Sequence, residues 1–542
     1  MNRKALYAIL LPVGAFLILG CGFLIGRHYA TPGLSVAGSA DKLNSVLSTI
    51  EAQYVDTIDH DQLMDMTLLA LFQSLDPHSE YIPKSELQAV NDDLQGSFSG
   101  VGVSFQIVGD TVTVVEAIVG GPSEKLGIMP GDRIISANGE SLTGDAATND
   151  NVFRLLRGKK GSKVKLEIKR PNSTKTAIYE VVRNDIPVNS VQAWYLMDDS
   201  KTGYIKLTQF TRNTYDEFMK AVRDLQEQGA TGFILDLRNN PGGYMDQAIR
   251  IADEFLPEGS RIVFTKARTE ENRMSAEATG EGTLQKAPVA VLLNEYSASA
   301  SEIIAGAIQD NDRGHVVGRR SFGKGLVQTQ IELPDSSALR LTVARYYTPS
   351  GRSIQKEYKI GEAVDYEMDI LNRYNRGEFF YLDSIRMDMS KKFKTVGGRL
   401  VYGGGGIMPD IFVPEDTTQL TTYYINVNNA GLIQQYAFKL ADRYRSLARG
   451  AKSADHILKM LPDDETLLQG FADYAESKGV PARWYYIDIS RPLILGQLKA
   501  FVVRDLAGYN QFFKIYNLTD RTIQVARDVL HSGTLPKKPV SR

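Results

Sequence analysis

A chain of 542 residues is too long for one ordinary globular unit of about 100–200 residues, so several domains are expected. Its 62 Lys and Arg against 64 Asp and Glu leave a net charge of −2, which gives no reason to expect nucleic-acid binding. The single cysteine, Cys21, excludes an intrachain disulfide. The six histidines are scattered and no CxxC pair occurs, so no metal site and no cofactor are expected.

Arg3 and Lys4 precede an apolar stretch from Ala5 to Gly26 that would reach about 33 Å as a helix, enough to span a bilayer. Pro12 is tolerable in a membrane helix. The stretch is longer than the roughly 7–15 apolar residues of a secretory signal, and an uncleaved anchor over residues 1–30 is the expectation. The positive flank places the bulk outside the cytoplasm, which in a Gram-negative cell is the periplasm.

Residues 31–40 read as a linker and 41–92 as amphipathic helices, with Leu43, Val46, Leu47 and Ile50 on one face. Such a face is expected to pack on a neighbouring element or on a second copy, which makes a homo-oligomer the expected assembly. Leu75-Asp-Pro-His-Ser79 breaks the helical pattern.

From Gly96 the pattern turns to short strands. Gly100-Val-Gly-Val-Ser-Phe-Gln-Ile107 and Asp110 to Glu116 alternate, and Asn138-Gly139 signals a turn. With Gly121 to Ile135, this stretch resembles a PDZ domain of the kind found in bacterial proteases. The resemblance implies that Gly100, Val101, Gly102 and Val103 form a carboxylate-binding loop for a peptide C-terminus, whose strand adds to the sheet edge. Read without it, the two glycines only permit a tight turn.

Between residues 203 and 350 strands and helices alternate. Gly232 to Leu237 and Val289 to Leu293 read as buried strands, each followed by a turn and a helix. This predicts an α/β core with a largely parallel sheet, whose active site lies at the carboxyl ends of the strands. Arg238-Asn-Asn-Pro-Gly-Gly243 and Ser297-Ala-Ser-Ala-Ser301 occupy those ends. Residues 356–400 lack a period and read as an insertion. From Thr417 to Ser532 the pattern is helical, and the tail from Lys537 reads as disordered.

Tyr296 to Glu302 supplies serines where a strand gives way to a helix, and Ser321-Phe-Gly-Lys-Gly-Leu-Val-Gln328 supplies a lysine between glycines. His315 follows the helix and flanks neither motif, so the base for a serine nucleophile is lysine rather than histidine. Burial lowers a lysine pKa by disfavouring the charged form. In a strand, Lys324 and Gln328 would share a face, letting Gln328 orient the amine. The Ala300 N–H at the helix start and that of Gly242 or Gly243 are candidate oxyanion donors. Each motif also has a plainer meaning: Ser299 to Glu302 is a capping box, Lys324 a turn lysine, and Arg238–Gly243 a strand-to-helix turn.

Ser297 to Ile303, Gln309-Asp310, Ser321 to Gln328, Leu237 to Gly243, Leu75 to Ser79 and Tyr347-Thr-Pro-Ser-Gly-Arg352 together resemble carboxyl-terminal processing peptidases, the tail-specific serine proteases. The likeness runs over roughly residues 40–415. It implies that Ser299 is the nucleophile, Lys324 the base and Gln328 its support; composition does not choose Ser299 over Ser297 or Ser301. It implies an α/β fold with a crotonase/Clp-peptidase-like protease core, an inserted PDZ-like β-rich domain, N-terminal helices and a C-terminal helical domain. The expected layout is an anchor or signal at 1–30, linker and helices at 31–92, the PDZ domain at 93–185, the core at 186–416 with its insertion, and the helical domain at 417–542. The expected function is Ser–Lys endopeptidase cleavage of extracytoplasmic proteins near their exposed, apolar C-termini, with the PDZ domain recognising the tail. The rivals are a PDZ-based binding scaffold with an inactive core and, more weakly, a small-molecule acyl-transfer or hydratase enzyme.

Overall fold

The computed structural model describes residues 37–118, 120–170, 173–198, 201–359, 363–448, 450 and 453–532. The runs Thr202–Leu207, Gly232–Asp236 and Val289–Leu293 are buried along their whole length. Strands read this way when both faces of their sheet are covered. They lie in a six-stranded sheet of order Val191–Leu196, Thr202–Leu207, Gly232–Asp236, Val289–Leu293, His315–Gly318, Ile411–Phe412. The first pair is antiparallel and every later pair parallel.

Alternate residues of these strands enter two different cores. Ile205, Leu207, Phe233, Leu235, Val291 and Leu293 pack with helices Thr214–Glu227, Met245–Phe255 and Ala300–Asp310. Tyr204, Ile234, Ala290, Leu292 and Val317 pack against Ile523, Ala526 and Leu530 of helix Arg521–Ser532. This corrects the layout read from the sequence, which put all of 417–542 in a separate helical domain. The last helix covers the second face of the sheet, and Asp520 just before it pairs with Arg238 at 2.7 Å. The helices from Thr422–Asn429 to Tyr509–Tyr516 share an apolar core of their own.

The PDZ-like region is a six-stranded antiparallel sheet in which Val103–Val108 is an edge strand. Lys163–Lys169 shows why the chain folds so: Val164, Leu166 and Ile168 turn inward while its three lysines face solvent. The region is entered through Ser97–Gly100 and left through Asn184–Pro187, which pair as a two-stranded ribbon. Arg133 of this sheet pairs with Asp442 and lies over the Phe438 ring, both in helix Leu432–Tyr444.

A second, five-stranded sheet joins Glu80–Ile82, Ala338–Tyr347, Arg261–Ala267 and Ser275–Glu277, with Leu326–Glu332 also on Ala338–Tyr347. The 356–400 segment contributes helices Ala363–Glu367 and Asp369–Asn375 and buries Arg373 and Glu378 against the core.

The described residues up to Leu68 form a unit of their own, with helix Ala37–Gln53 and most of helix His60–Gln73. Leu43 and Val46 are about half exposed on it. The expected anchor at 1–30 and the expected disordered tail from Lys537 lie outside the described residues. Among the described residues no helix is long and apolar enough to cross a membrane.

Two sequence motifs meet in one buried ion pair. Arg352 and Asp310 are both fully buried, 2.8 Å apart, and Arg352 also donates to Gln309 Oε1 and the Tyr402 carbonyl. A buried pair adds little over an apolar replacement, but breaking it strands a charge. Arg352→Met alone is therefore expected to cost about 3–5 kcal/mol, read as a lower unfolding midpoint by circular dichroism. Arg352→Met combined with Asp310→Leu is expected to recover most of that loss.

Candidate active site

Three serines follow strand Val289–Leu293, and their surroundings separate them. The Ser297 hydroxyl is buried, donating to the Leu237 carbonyl at 2.8 Å and accepting from Asn294 N–H at 2.9 Å. The Ser301 hydroxyl is buried and donates to the Asn240 carbonyl at 3.0 Å. Both bind the serine turn to the 237–243 turn on the neighbouring strand. Ser299 alone of the three is partly exposed, and it sits at φ 55°, ψ −114°. A non-glycine residue there stores about 1–3 kcal/mol of strain, which persists only where neighbours hold it.

Gly242 is one such neighbour. At φ 103°, a β-carbon on it would lie 2.7 Å from Ser299 Cβ and 3.0 Å from Ala300 N, so only glycine admits the serine turn. Ala300 opens helix Ala300–Asp310, where first-turn amides have no intrahelical acceptor. The Gly242 amide, expected as the second oxyanion donor, is turned to Asn240 Oδ1 at 2.9 Å. An oxyanion role for it requires that bond to open.

Lys324 lies in a loop just before the strand, which begins at Leu326 and carries a register shift between Val327 and Gln328, so the two residues do not share a regular strand face. The two side chains still meet, with Lys324 Nζ donating to Gln328 Oε1 at 3.0 Å. The Gln328 amide nitrogen donates in turn to the His78 carbonyl. Asp76 fixes that carbonyl's segment by accepting from His78 N–H, Ser79 N–H and the Ser79 and Thr342 hydroxyls. Burial foremost, then the charge of Arg340, pulls the Lys324 amine below its usual range. Burial and the charge of Lys324 push the His78 imidazole down to about 4. No hydrogen bond joins Lys324 Nζ to Ser299 among the described residues; the lysine is spent on Gln328.

The two loops are instead joined through their backbones. Glu302 is fully buried; its Oε2 accepts Ser299 N–H at 2.8 Å and Lys324 N–H at 2.9 Å. Its Oε1 accepts the Ser321 hydroxyl at 2.5 Å and Gly323 N–H at 2.8 Å. Burial pushes this carboxyl up to about 7 against the pull of those bonds. On the carbonyl side, the Tyr346 hydroxyl lies 3.1 Å from the Ser299 oxygen and 2.6 Å from that of Lys324. Sequence spacing presents Glu302 as a helix cap and marks the Leu75–Ser79 motif without a site role for Asp76 or His78, and it does not single out Tyr346. The spacing from Ser299 to Glu302 was a signal for the first; a long-range hydroxyl contact such as that of Tyr346 leaves none.

Gly100, Val101, Gly102 and Val103 stand apart from this cluster, at the start of the PDZ-like edge strand. The Val101 carbonyl accepts from Ser123, and that of Gly102 accepts Ile118 N–H. A β-carbon on Gly102, at φ 77°, would meet Ile186 Cδ1 at 2.9 Å. No group of three or more metal-ligating side chains occurs among the described residues.

Comparison with known proteins matches residues 201–368 to the model of peptidase family S41, residues 113–170 to that of the PDZ domain, and residues 423–508 to a family of unknown function. The chain is 37% identical over 318 residues to a carboxy-terminal-processing protease of Bartonella bacilliformis, covering 58% of this chain and 72% of that one. It is 36% identical over 341 residues to the carboxy-terminal processing protease CtpA of Bacillus subtilis, covering 63% and 71%. Among solved structures, the photosystem II D1 C-terminal processing protease is 29% identical with a TM-score of 0.34, covering 58% of this chain and 83% of that one.

The contact of Gly242 with Ser299 is testable on the full chain. Gly242→Ala is expected to destabilise the fold by about 1–3 kcal/mol, because the added β-carbon overpacks the serine turn. The unfolding midpoint by circular dichroism measures it, and an unchanged midpoint would contradict the stated packing.

Proposed function

The chain belongs to peptidase family S41, the carboxy-terminal processing proteases, and from that premise we propose that it is a Ser–Lys endopeptidase built on Ser299, Lys324 and Gln328. What supports the choice most is the joint environment of the first two. Ser299 is the one serine of its run with a partly exposed side chain, and Lys324 is half-buried, lowered in pKa and bound to Gln328.

In this reading Ser299 Oγ attacks the scissile carbonyl while the neutral Lys324 amine takes its proton. Lys324 swings toward Ser299 when substrate enters; catalytic hydrogen bonds often form only in that complex. Gln328 keeps the amine oriented. The oxyanion is held by Ala300 N–H and by the Gly242 turn once its amide leaves Asn240. Lys324 then returns its proton to the leaving amine, and water cleaves the acyl-enzyme.

The PDZ domain takes the substrate's C-terminal tail. Gly100, Val101, Gly102 and Val103 receive the carboxylate, and the tail adds to the open edge of Val103–Val108. The substrates are extracytoplasmic proteins with exposed apolar C-termini, reached by an enzyme anchored through residues 1–30 and assembled as a homo-oligomer. The domains divide at 31–92, 93–185 and 186–416, with the helical domain from 417 ending before the helix that returns to the core.

The test uses the full chain in detergent with a loosely folded protein bearing an apolar or a charged C-terminal tail. Cleavage is expected to favour the apolar tail and to vanish in Ser299→Ala and Lys324→Ala. Because the folded-state pKa of Lys324 is lowered, the neutral base accumulates as pH rises, and kcat/KM is expected to climb with pH along a one-proton limb. Tail binding without cleavage at any pH would favour a scaffold.

A further inference from the structure

The loop 320–325 that carries Lys324 has no ladder of its own, so its backbone groups must find partners elsewhere. Ser321 N–H bonds to the Ile407 carbonyl and Phe322 N–H to that of Ser297. Gly323 and Lys324 N–H go to Glu302, and Gly325 N–H to Gln355 Oε1. The carbonyls of residues 323 and 325 accept from the backbone of Lys356 and Tyr346. The Lys324 carbonyl accepts from the Tyr346 hydroxyl, and one side chain takes the carbonyls of both Arg320 and Ser321. Arg373 Nη2 donates to Arg320 O at 2.7 Å and Nη1 to Ser321 O at 3.0 Å.

Arg373 is about 1% exposed, and its third contact is Nε to Glu378 Oε1 at 2.8 Å. Glu378 also grips Arg320 through both of its oxygens, at 2.6 and 2.8 Å. A guanidinium placed this way fixes the peptide plane at Ser321 through its rigid fork. Ser321 is the residue whose hydroxyl reaches Glu302, and Glu302 Oε2 holds the amides of both Ser299 and Lys324. Arg373 lies beyond the segment matched by the S41 family, in the part that reads from sequence as an insertion.

We propose that Arg373 is a positioning residue for the Ser299–Lys324 pair, acting through Ser321 and Glu302, so that the 356–400 segment is a working part of the catalytic loop. The inference rests on the Ser–Lys reading given above. Arg373 touches no reacting atom; it sets where the lysine loop stands against the serine turn.

The experiment labels the full chain in detergent with a small fluorophosphonate, which needs the Ser–Lys pair but not the tail-binding site. Arg373→Gln is expected to slow Ser299 labelling about 100-fold and to shift the pH midpoint of labelling. Arg373→Lys, which keeps a donor, is expected to restore part of the rate. Ser321→Ala removes only the hydroxyl link; it is expected to slow labelling as well, and less than additively with Arg373→Gln. Leu498→Ala, in the separate helical core, is the control for general destabilisation and is expected to label at the parent rate. Parent-like rate and pH midpoint in Arg373→Gln, or in Ser321→Ala should Arg373→Gln not fold, would overturn the inference alone. A parent chain whose Ser299 is not labelled at any pH would overturn the Ser–Lys reading and this inference with it.

Discussion

A carboxylate taken out of water is costly unless its oxygens are filled, and Glu302 is fully buried with no cation in an ion pair to it among the described residues. Four donors fill it instead: three backbone amides and one hydroxyl. Two of the amides belong to Ser299 and Lys324, which sit on separate segments of chain. The same bonds that make the charge tolerable therefore fix one loop against the other. The left-handed backbone at Ser299 becomes tolerable for a related reason, since its N–H is held by Glu302 and its carbonyl by Tyr346.

Charge buried in this way recurs around the strand ends. Arg352 with Asp310, Arg373 with Glu378 and Arg320, and Asp236 with Arg238 and Lys206 all sit at or near the turns that carry the site. Burial works against the charge of Asp236, yet Arg238 and Lys206 win and hold its carboxyl well below the usual range. Such pairs add less stability than apolar packing would. Their directional bonds do what packing does not: each reaches a particular carbonyl or amide of an irregular loop. A site assembled from turns needs that, because turns lack the repeating bonds of helix and sheet.

The parallel sheet was legible because strands buried on both faces leave continuous apolar runs, and Val289–Leu293 is one. The place of the site followed, since turns at the carboxyl ends of such strands are where ligands fit. The Lys324–Gln328 contact was anticipated on a mistaken ground: the chain reaches it through a loop and a register shift, not along a regular strand. The engagement of the Gly242 amide by Asn240 was beyond reach, because glycine spacing does not say which way a peptide plane turns. The 356–400 segment looked featureless for a physical reason. It is held by buried guanidinium and carboxylate groups rather than by an apolar stripe, and such contacts have no period to read. The last helix reads from sequence as part of the helical domain because an apolar stripe says that a helix is covered, not by what.

That last helix has a consequence for how the enzyme comes into being. The strand Gly232–Asp236 leaves the ribosome long before helix Arg521–Ser532, yet one of its faces rests on that helix. Bringing such distant segments together is slow, and a sheet left bare on one side is prone to wrong pairing meanwhile. At about 5–20 residues per second, the bare interval lasts tens of seconds. Maturation of the enzyme thus waits on the synthesis of that helix, and a chain cut short before it lacks one wall of its own core.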